Sequence, residues 1–262
     1  MYYQVIPTKI FRQDLHALES LLTYSFPEKL KPGQIVLIPL GKSVIPGIIH
    51  HSITPPQDQS FQIKAISSVL PLPPIPTHLL RAATWLSEYY FTPLPLIANL
   101  LLPKGITKER RKKIPISPLD INTHSTIIPL NSSQQAALTA LENIKSHTKL
   151  LHGITGSGKT NLYLTLAMKE FQKQRSSIIL VPEISLTSQL VQQFQFYFPG
   201  SVITIHSKQT EATRHQIWQR IIKSTAPLII IGPRSALFSP LNNLGLIIID
   251  EAHDPAYYQD NP

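Results

Sequence analysis

The pattern of apolar and polar positions changes near the middle of the chain. Residues 1–103 place short apolar runs between Pro, Gly and polar punctuation. Three of these runs, Gln34–Leu40, Val44–His50 and Ile63–Leu70, have the length and composition of strands. A small β-rich module is expected there. After the stiff connector Pro71–Pro76, Thr77 is placed to cap a helix whose apolar positions Leu79, Ala82, Ala83, Leu86 and Tyr90 follow helical spacing. Trp85, Tyr89, Tyr90 and Phe91 on this helix are expected in the core rather than as a platform for stacking bases. From Leu130 onward the runs Lys149–Ile154, Ser177–Val181, Ser201–Ile205, Leu228–Ile231 and Leu246–Ile249 predict strands, with helices between the first four. Such alternation predicts parallel βαβ units, hence an α/β domain following the β-rich one.

Between these halves, residues 104–129 carry Lys104, Lys108, Arg110, Arg111, Lys112 and Lys113 against only Glu109 and Asp120, then Pro115 and Pro118, with little periodic apolar content. This is the texture of a linker, so the expected domains are 1–103, a basic linker over 104–129, and 130–262. The basic segment reads equally as a solvated connector or as a contact strip for a polyanion.

Over all 262 residues, 24 Lys and Arg exceed 15 Asp and Glu, a formal net charge of +9 that favours polyanionic partners, nucleic acid first and an anionic membrane surface second. The absence of cysteine excludes disulfides and thiolate zinc sites, and the ten histidines show no ligand spacing, so no zinc is expected. No basic-then-apolar leader opens the sequence, and no apolar run approaches the roughly 18 residues of a spanning helix. A cytoplasmic protein with no membrane partner is expected.

Gly153-Ile154-Thr155-Gly156-Ser157-Gly158-Lys159-Thr160 matches GxxxxGK[ST], between an expected strand and the expected helix Asn161–Phe171. Glycines let backbone N–H groups wrap a phosphate, and a helix N-terminus adds a favourable dipole. Lys159 can reach the terminal phosphates, and the Thr160 hydroxyl can hold Mg²⁺. Asp250 and Glu251 follow the run Leu246–Ile249, so the first carboxylate emerges at the end of an expected buried strand beside that loop. There Asp250 would orient Mg²⁺ and Glu251 would polarise an attacking water. By themselves Ser132 and Ser133 are good helix caps and Gln134 a first-turn residue. The three motifs together resemble the layout of superfamily 2 helicases, which implies that Gln134 contacts the adenine of ATP and that the lobe is RecA-like.

The chain from Leu130 onward resembles the first helicase lobe of the PriA family, primosomal replication-restart DNA helicases of bacteria. The matching residues are Gly156–Thr160, Leu180–Thr187, His206 and Ser207 with Arg214 and Trp218, Gly232–Phe238 and Asp250–Asp254. The resemblance implies that Thr187, Arg234 and Ser235 line a path for single-stranded DNA. An Arg and a hydroxyl at strand-to-loop junctions suit phosphate contact and carry no base specificity. Read alone, Arg234 is a surface salt-bridge residue.

The likeness extends over 1–103 through Leu22, Thr23 and Tyr24, Lys31–Gly33, Val36–Gly41, Gly47–Ile49, Lys64 and Trp85–Pro93. There it implies a module that captures the 3′ end of a nascent strand, with Leu22, Thr23, Gly41 and Lys64 forming the terminal-nucleotide pocket. Thr23 replaces an Asp of some members, which weakens the hydrogen bond offered to a terminal hydroxyl. Implied partners are DNA with 3′ ends and forks, primosome proteins and single-strand-binding protein. The 104–129 segment leaves no room for the winged-helix domain of long members, and the family's second RecA-like lobe would follow Pro262. The expectation is therefore half of a motor, with ATP and Mg²⁺ as cofactors. Two further readings are a DNA-end-binding module acting with a second chain that carries the other lobe, and another superfamily 2 DNA translocase.

Overall fold

In the computed structural model the apolar runs of the first hundred residues join in one six-stranded sheet, ordered β5-β2-β1-β4-β3-β6. The strands are β1 (Tyr2–Pro7), β2 (Leu22–Ser25), β3 (Ile35–Leu40), β4 (Ser43–Ile53), β5 (Lys64–Ala65) and β6 (Ser68–Val69). The structure describes residues 1–9, 20–55, 62–107, 129–154, 156–182 and 188–258. β1 runs antiparallel to both β2 and β4, with a bulge between Gln4 and Val5 that leaves His50 as the extra residue of β4. The expected single strand Ile63–Leu70 is two short ones at opposite edges of the sheet: Ile66 N–H donates to Ser25 O, and Ser67 N–H to Leu37 O. One straight strand cannot serve both edges, so the run kinks between them. Gly33 adopts a φ of +85°, where a Cβ would lie 2.2 Å from the Ile75 carbonyl oxygen. No side chain fits there.

Two helices cover the sheet, α1 (Thr77–Tyr89) and α2 (Leu94–Leu101). Pro76, not Thr77, occupies the cap of α1. Its carbonyl accepts from Leu79 N–H, and Thr77 is already helical. α2 was not expected from the pattern, because its eight nearly all-apolar residues lack a polar face to reveal the period. The aromatic residues of α1 are a correction. Trp85 is 56% exposed because the buried stripe is Leu79, Leu80, Ala83 and Ser87 on the other face, and Phe91, 86% exposed, lies beyond the helix end at a left-handed φ of +51°. Trp85 and Tyr89, one turn apart, stack with centroids 4.9 Å apart.

The second half contains α3 (Ser132–Asn143), α4 (Lys159–Gln172), β7 (Ser176–Leu180), α5 (Ser188–Tyr197), β8 (Val202–Thr204), α6 (Glu211–Lys223), β9 (Ile229–Gly232), a 3₁₀ helix (Arg234–Phe238) and β10 (Leu244–Ile249). Its sheet is parallel throughout, ordered β10-β7-β9-β8, as the βαβ alternation predicts. Ile179, Ile229 and Ile231 pack with Phe171, Phe194 and Phe198 in its core. Two expectations fail here. Lys149–Ile154 forms no strand among the described residues, and its Leu150 and Ile154 are exposed. An apolar run becomes a strand only when another strand offers it a ladder, and here none does. β10 is an edge strand among the described residues, paired there with β7 alone, and Ile247 and Ile249 are exposed on one of its faces while Ile248 on the other is buried.

By contacts the chain forms two units. The first takes in 1–114 together with 209–224 and 238–242, so α6 belongs to it although its sequence lies between β8 and β9. Trp218 and Ile222 of α6 join Leu79, Leu80 and Leu101 in that unit's core. Trp218 Nε1–H donates to Leu101 O at 2.8 Å, which satisfies the buried indole. The second unit is 115–208, 225–237 and 243–262. Most of the basic segment 104–129 lies outside the described residues.

Candidate nucleotide site and DNA-contact residues

The glycine loop ends in α4. Gly156 and Gly158 both have left-handed φ angles, +80° and +77°, and apart from its chain neighbours no described residue comes within 4 Å of a would-be Cβ at Gly156. At Gly158 a Cβ would meet the Gln134 amide at 2.2 Å. The loop therefore demands glycine at one position for its turn and at the other for close approach. Gly153 and Ser157 lie in the same loop, and Thr160 in the first turn of α4; Thr155 is outside the described residues. Lys159 Nζ donates to Gly153 O at 3.0 Å and lies 3.6 Å from Glu251 Oε1. A phosphate entering this loop would replace those two acceptors with stronger ones.

Asp250 follows β10 and is fixed at three atoms. Its N–H donates to Leu180 O at 2.9 Å, its carbonyl accepts from Tyr257 Oη at 2.9 Å, and its Oδ1 accepts from Tyr163 Oη at 2.9 Å. Burial, then the Asp250 and Glu251 charges, push the Tyr163 hydroxyl far above the ordinary phenol range. The Tyr257 hydroxyl rises for the same reasons, with Asp254 adding to the effect. Both remain donors at neutral pH. Glu251 has a left-handed φ of +47°, an uncommon conformation for a non-glycine residue, and His253 lies 3.7 Å from its carboxylate. Sequence reasoning missed Tyr163 and Tyr257. The first could have been found from its place one turn beyond Lys159, on the helix face that carries the loop cation.

Gln134 is not solvent-facing: it is 8% exposed and closes a capping box on α3. Asn131, rather than Ser132 or Ser133, is the cap. Its side chain accepts from Gln134 N–H at 2.8 Å, while Gln134 Oε1 accepts from Asn131 N–H at 3.0 Å. The Gln134 amide N–H then reaches Ser157 O at 3.1 Å. Gln134 thus ties the start of α3 to the phosphate loop.

Residues 131–259 match the sequence model of the DEAD/DEAH box helicases, and residues 12–103 match that of the PriA 3′ DNA-binding domain. Similar proteins include the replication restart protein PriA of Rickettsia felis, 34% identical over 243 residues that cover 92% of this chain and 36% of that protein. The PriA of Chlamydia pneumoniae is 32% identical, covering 92% of this chain and 43% of its own length. The chain belongs to the PriA family. It spans well under half the length of these relatives. The helicase match brings with it the general use of ATP and Mg²⁺ by that class. The residues present fit both, since the loop is open at Gly156 and Asp250 and Thr160 are oxygen ligands of the hard type that Mg²⁺ accepts. Among the described residues no group of three or more His, Cys, Asp or Glu could hold a metal ion.

The other site residues fall in two places. Leu22 and Thr23 lie on β2 and Lys64 on β5, the strand paired in parallel with it, where Tyr24 faces Lys64 in register. Thr23 Oγ1 accepts from the Gln4 amide at 3.1 Å. Gly41 makes the β3–β4 turn at a φ of +58°, two residues beyond Pro39, whose carbonyl accepts from Tyr24 Oη at 2.9 Å. Lys64 and Gly41 are exposed. Arg234 and Ser235 are exposed at the start of the 3₁₀ helix after β9, and Arg234 donates to Tyr258 O at 3.3 Å. Thr187 lies outside the described residues. No described helix is long and apolar enough to cross a membrane.

Proposed function

We propose that this chain supplies the nucleotide-binding and DNA-engaging steps of an ATP-dependent 3′–5′ DNA helicase that restarts replication at stalled forks in the cytoplasm. The observation that carries the reading is the convergence of Lys159, Glu251 and Asp250 at the mouth of an open glycine loop. Bound MgATP would supply the γ-phosphoryl group whose hydrolysis drives movement. The protein's own groups have separate tasks. The loop N–H groups of 153–160 and Lys159 hold phosphate oxygens, Gln134 contacts the adenine, Thr160 and Asp250 hold the Mg²⁺ and its water shell, and Glu251 orients the attacking water.

Arg234, Ser235 and Thr187 would contact the phosphates of the tracked strand, a sequence-independent role. Leu22, Thr23, Gly41 and Lys64 would form the pocket for a 3′-terminal nucleotide, with 1–103 as the end-binding module, 104–129 as a basic linker and 130–262 as the helicase lobe. Primosome proteins and single-strand-binding protein are the proposed protein partners. The test is binding of a 3′-hydroxyl oligonucleotide against its 3′-phosphate counterpart. A preference for the hydroxyl end that Lys64→Ala abolishes supports the pocket; equal affinity for both ends removes it.

A second reading has the lobe acting with another chain that carries a second RecA-like lobe. The exposed face of β10, where Ile247 and Ile249 lie on a strand of the composition usually buried in parallel sheets, favours it. Sedimentation of the chain with and without nucleotide separates this reading from a lone lobe.

A further inference from the structure

We infer that Tyr163 is a positioning residue for the Mg²⁺-binding carboxylate, an inference that rests on the nucleotide site proposed above. Tyr163 lies four residues beyond Lys159 in α4, so the loop cation and this phenol share one helix face. The residue is 7% exposed and packs in the second unit's core, while its hydroxyl donates to Asp250 Oδ1 at 2.9 Å. The Asp250 backbone is already pinned by Leu180 O and Tyr257 Oη. The remaining freedom of Asp250 is rotation of its carboxylate, and the Tyr163 hydroxyl removes it. A neutral donor on Oδ1 leaves the carboxylate its charge and, among the described residues, leaves Oδ2 without a donor. One helix therefore presents both the group for phosphate and the group that aims the metal ligand.

The plain alternative is a core tyrosine whose hydroxyl merely needed a partner. Tyr163→Phe keeps the ring and separates the two. In the full chain, a fluorescent ATP analogue is titrated in excess Mg²⁺ and again in EDTA, alongside a melting curve. The inference predicts that the ratio of the two affinities falls on the order of tenfold in Tyr163→Phe, the loss expected for one hydrogen bond to a charged group. The EDTA affinity should change less than about twofold. A ratio equal to that of the wild type, with or without a lowered melting temperature, overturns the inference and leaves the site intact. A wild-type protein whose nucleotide binding ignores Mg²⁺ overturns the site itself, and this inference with it.

Discussion

Lys159 Nζ and Glu251 Oε1 lie 3.6 Å apart, so the loop cation is paired with the residue proposed to orient the attacking water. Glu251 holds this position in a left-handed conformation that a glutamate adopts only under constraint. In the proposed mechanism an incoming phosphate would compete with Glu251 for Lys159 and would release the carboxylate to orient water. Glu251→Gln removes the competing charge while keeping the shape. It should bind a fluorescent ATP analogue at least as tightly as wild type, and any turnover by the intact protein should fall by about 10²–10⁴. Weaker binding would contradict the assigned roles.

Gly33 and Gly41 both have positive φ, but only Gly33 faces backbone, with Ile75 O 2.2 Å from a would-be Cβ. Gly33→Ala should lower stability by about 2 kcal/mol or more, since strain and clash add. Gly41→Ala has open space and should cost roughly 1 kcal/mol from conformation alone. Denaturant unfolding of both variants measures the difference.

Trp218 anchors α6 in the first unit's core through ring burial and its bond to Leu101 O. Trp218→Ala should cost about 3–5 kcal/mol, as large aromatic truncations do. Trp218→Phe retains part of the packing but leaves the Leu101 carbonyl without its partner, and should cost about 1–3 kcal/mol. Calorimetric melting of the two variants tests the order.

Burial, then the neighbouring His51, lowers the pKa of His50 below its ordinary 6.5. The folded state thus takes up this proton less readily than the unfolded chain. Its stabilising contribution is complete above the unfolded value and is lost as pH falls from about 6.5 toward the lower folded value. His50→Gln should flatten the loss of melting temperature between pH 7.5 and 5.5; an unchanged slope would remove His50 as its source.

The chemistry of the site was legible because it is local. The loop glycines, Lys159, Asp250 and Glu251 carry their spacing in the sequence, and the structure sets Lys159 3.6 Å from Glu251. What escaped was what depends on distant pairing. The run at Lys149–Ile154 has strand composition and no ladder, and Leu246–Ile249 reads as buried while lying at an edge. Trp85 and Tyr89 have core composition but are exposed on α1, away from its buried stripe, and Tyr90 and Phe91 are exposed at and beyond the helix end. Placement of Trp218 beside Leu101, 117 residues away, has no local signal at all.

The most direct test of the central claim is equilibrium binding of a fluorescent ATP analogue, with Mg²⁺, to the full chain and to Lys159→Ala. The account predicts saturable binding by the wild type and a loss of at least about tenfold in the variant, because a charge-assisted phosphate contact disappears. Equal affinity in both proteins, or none in either, would contradict it.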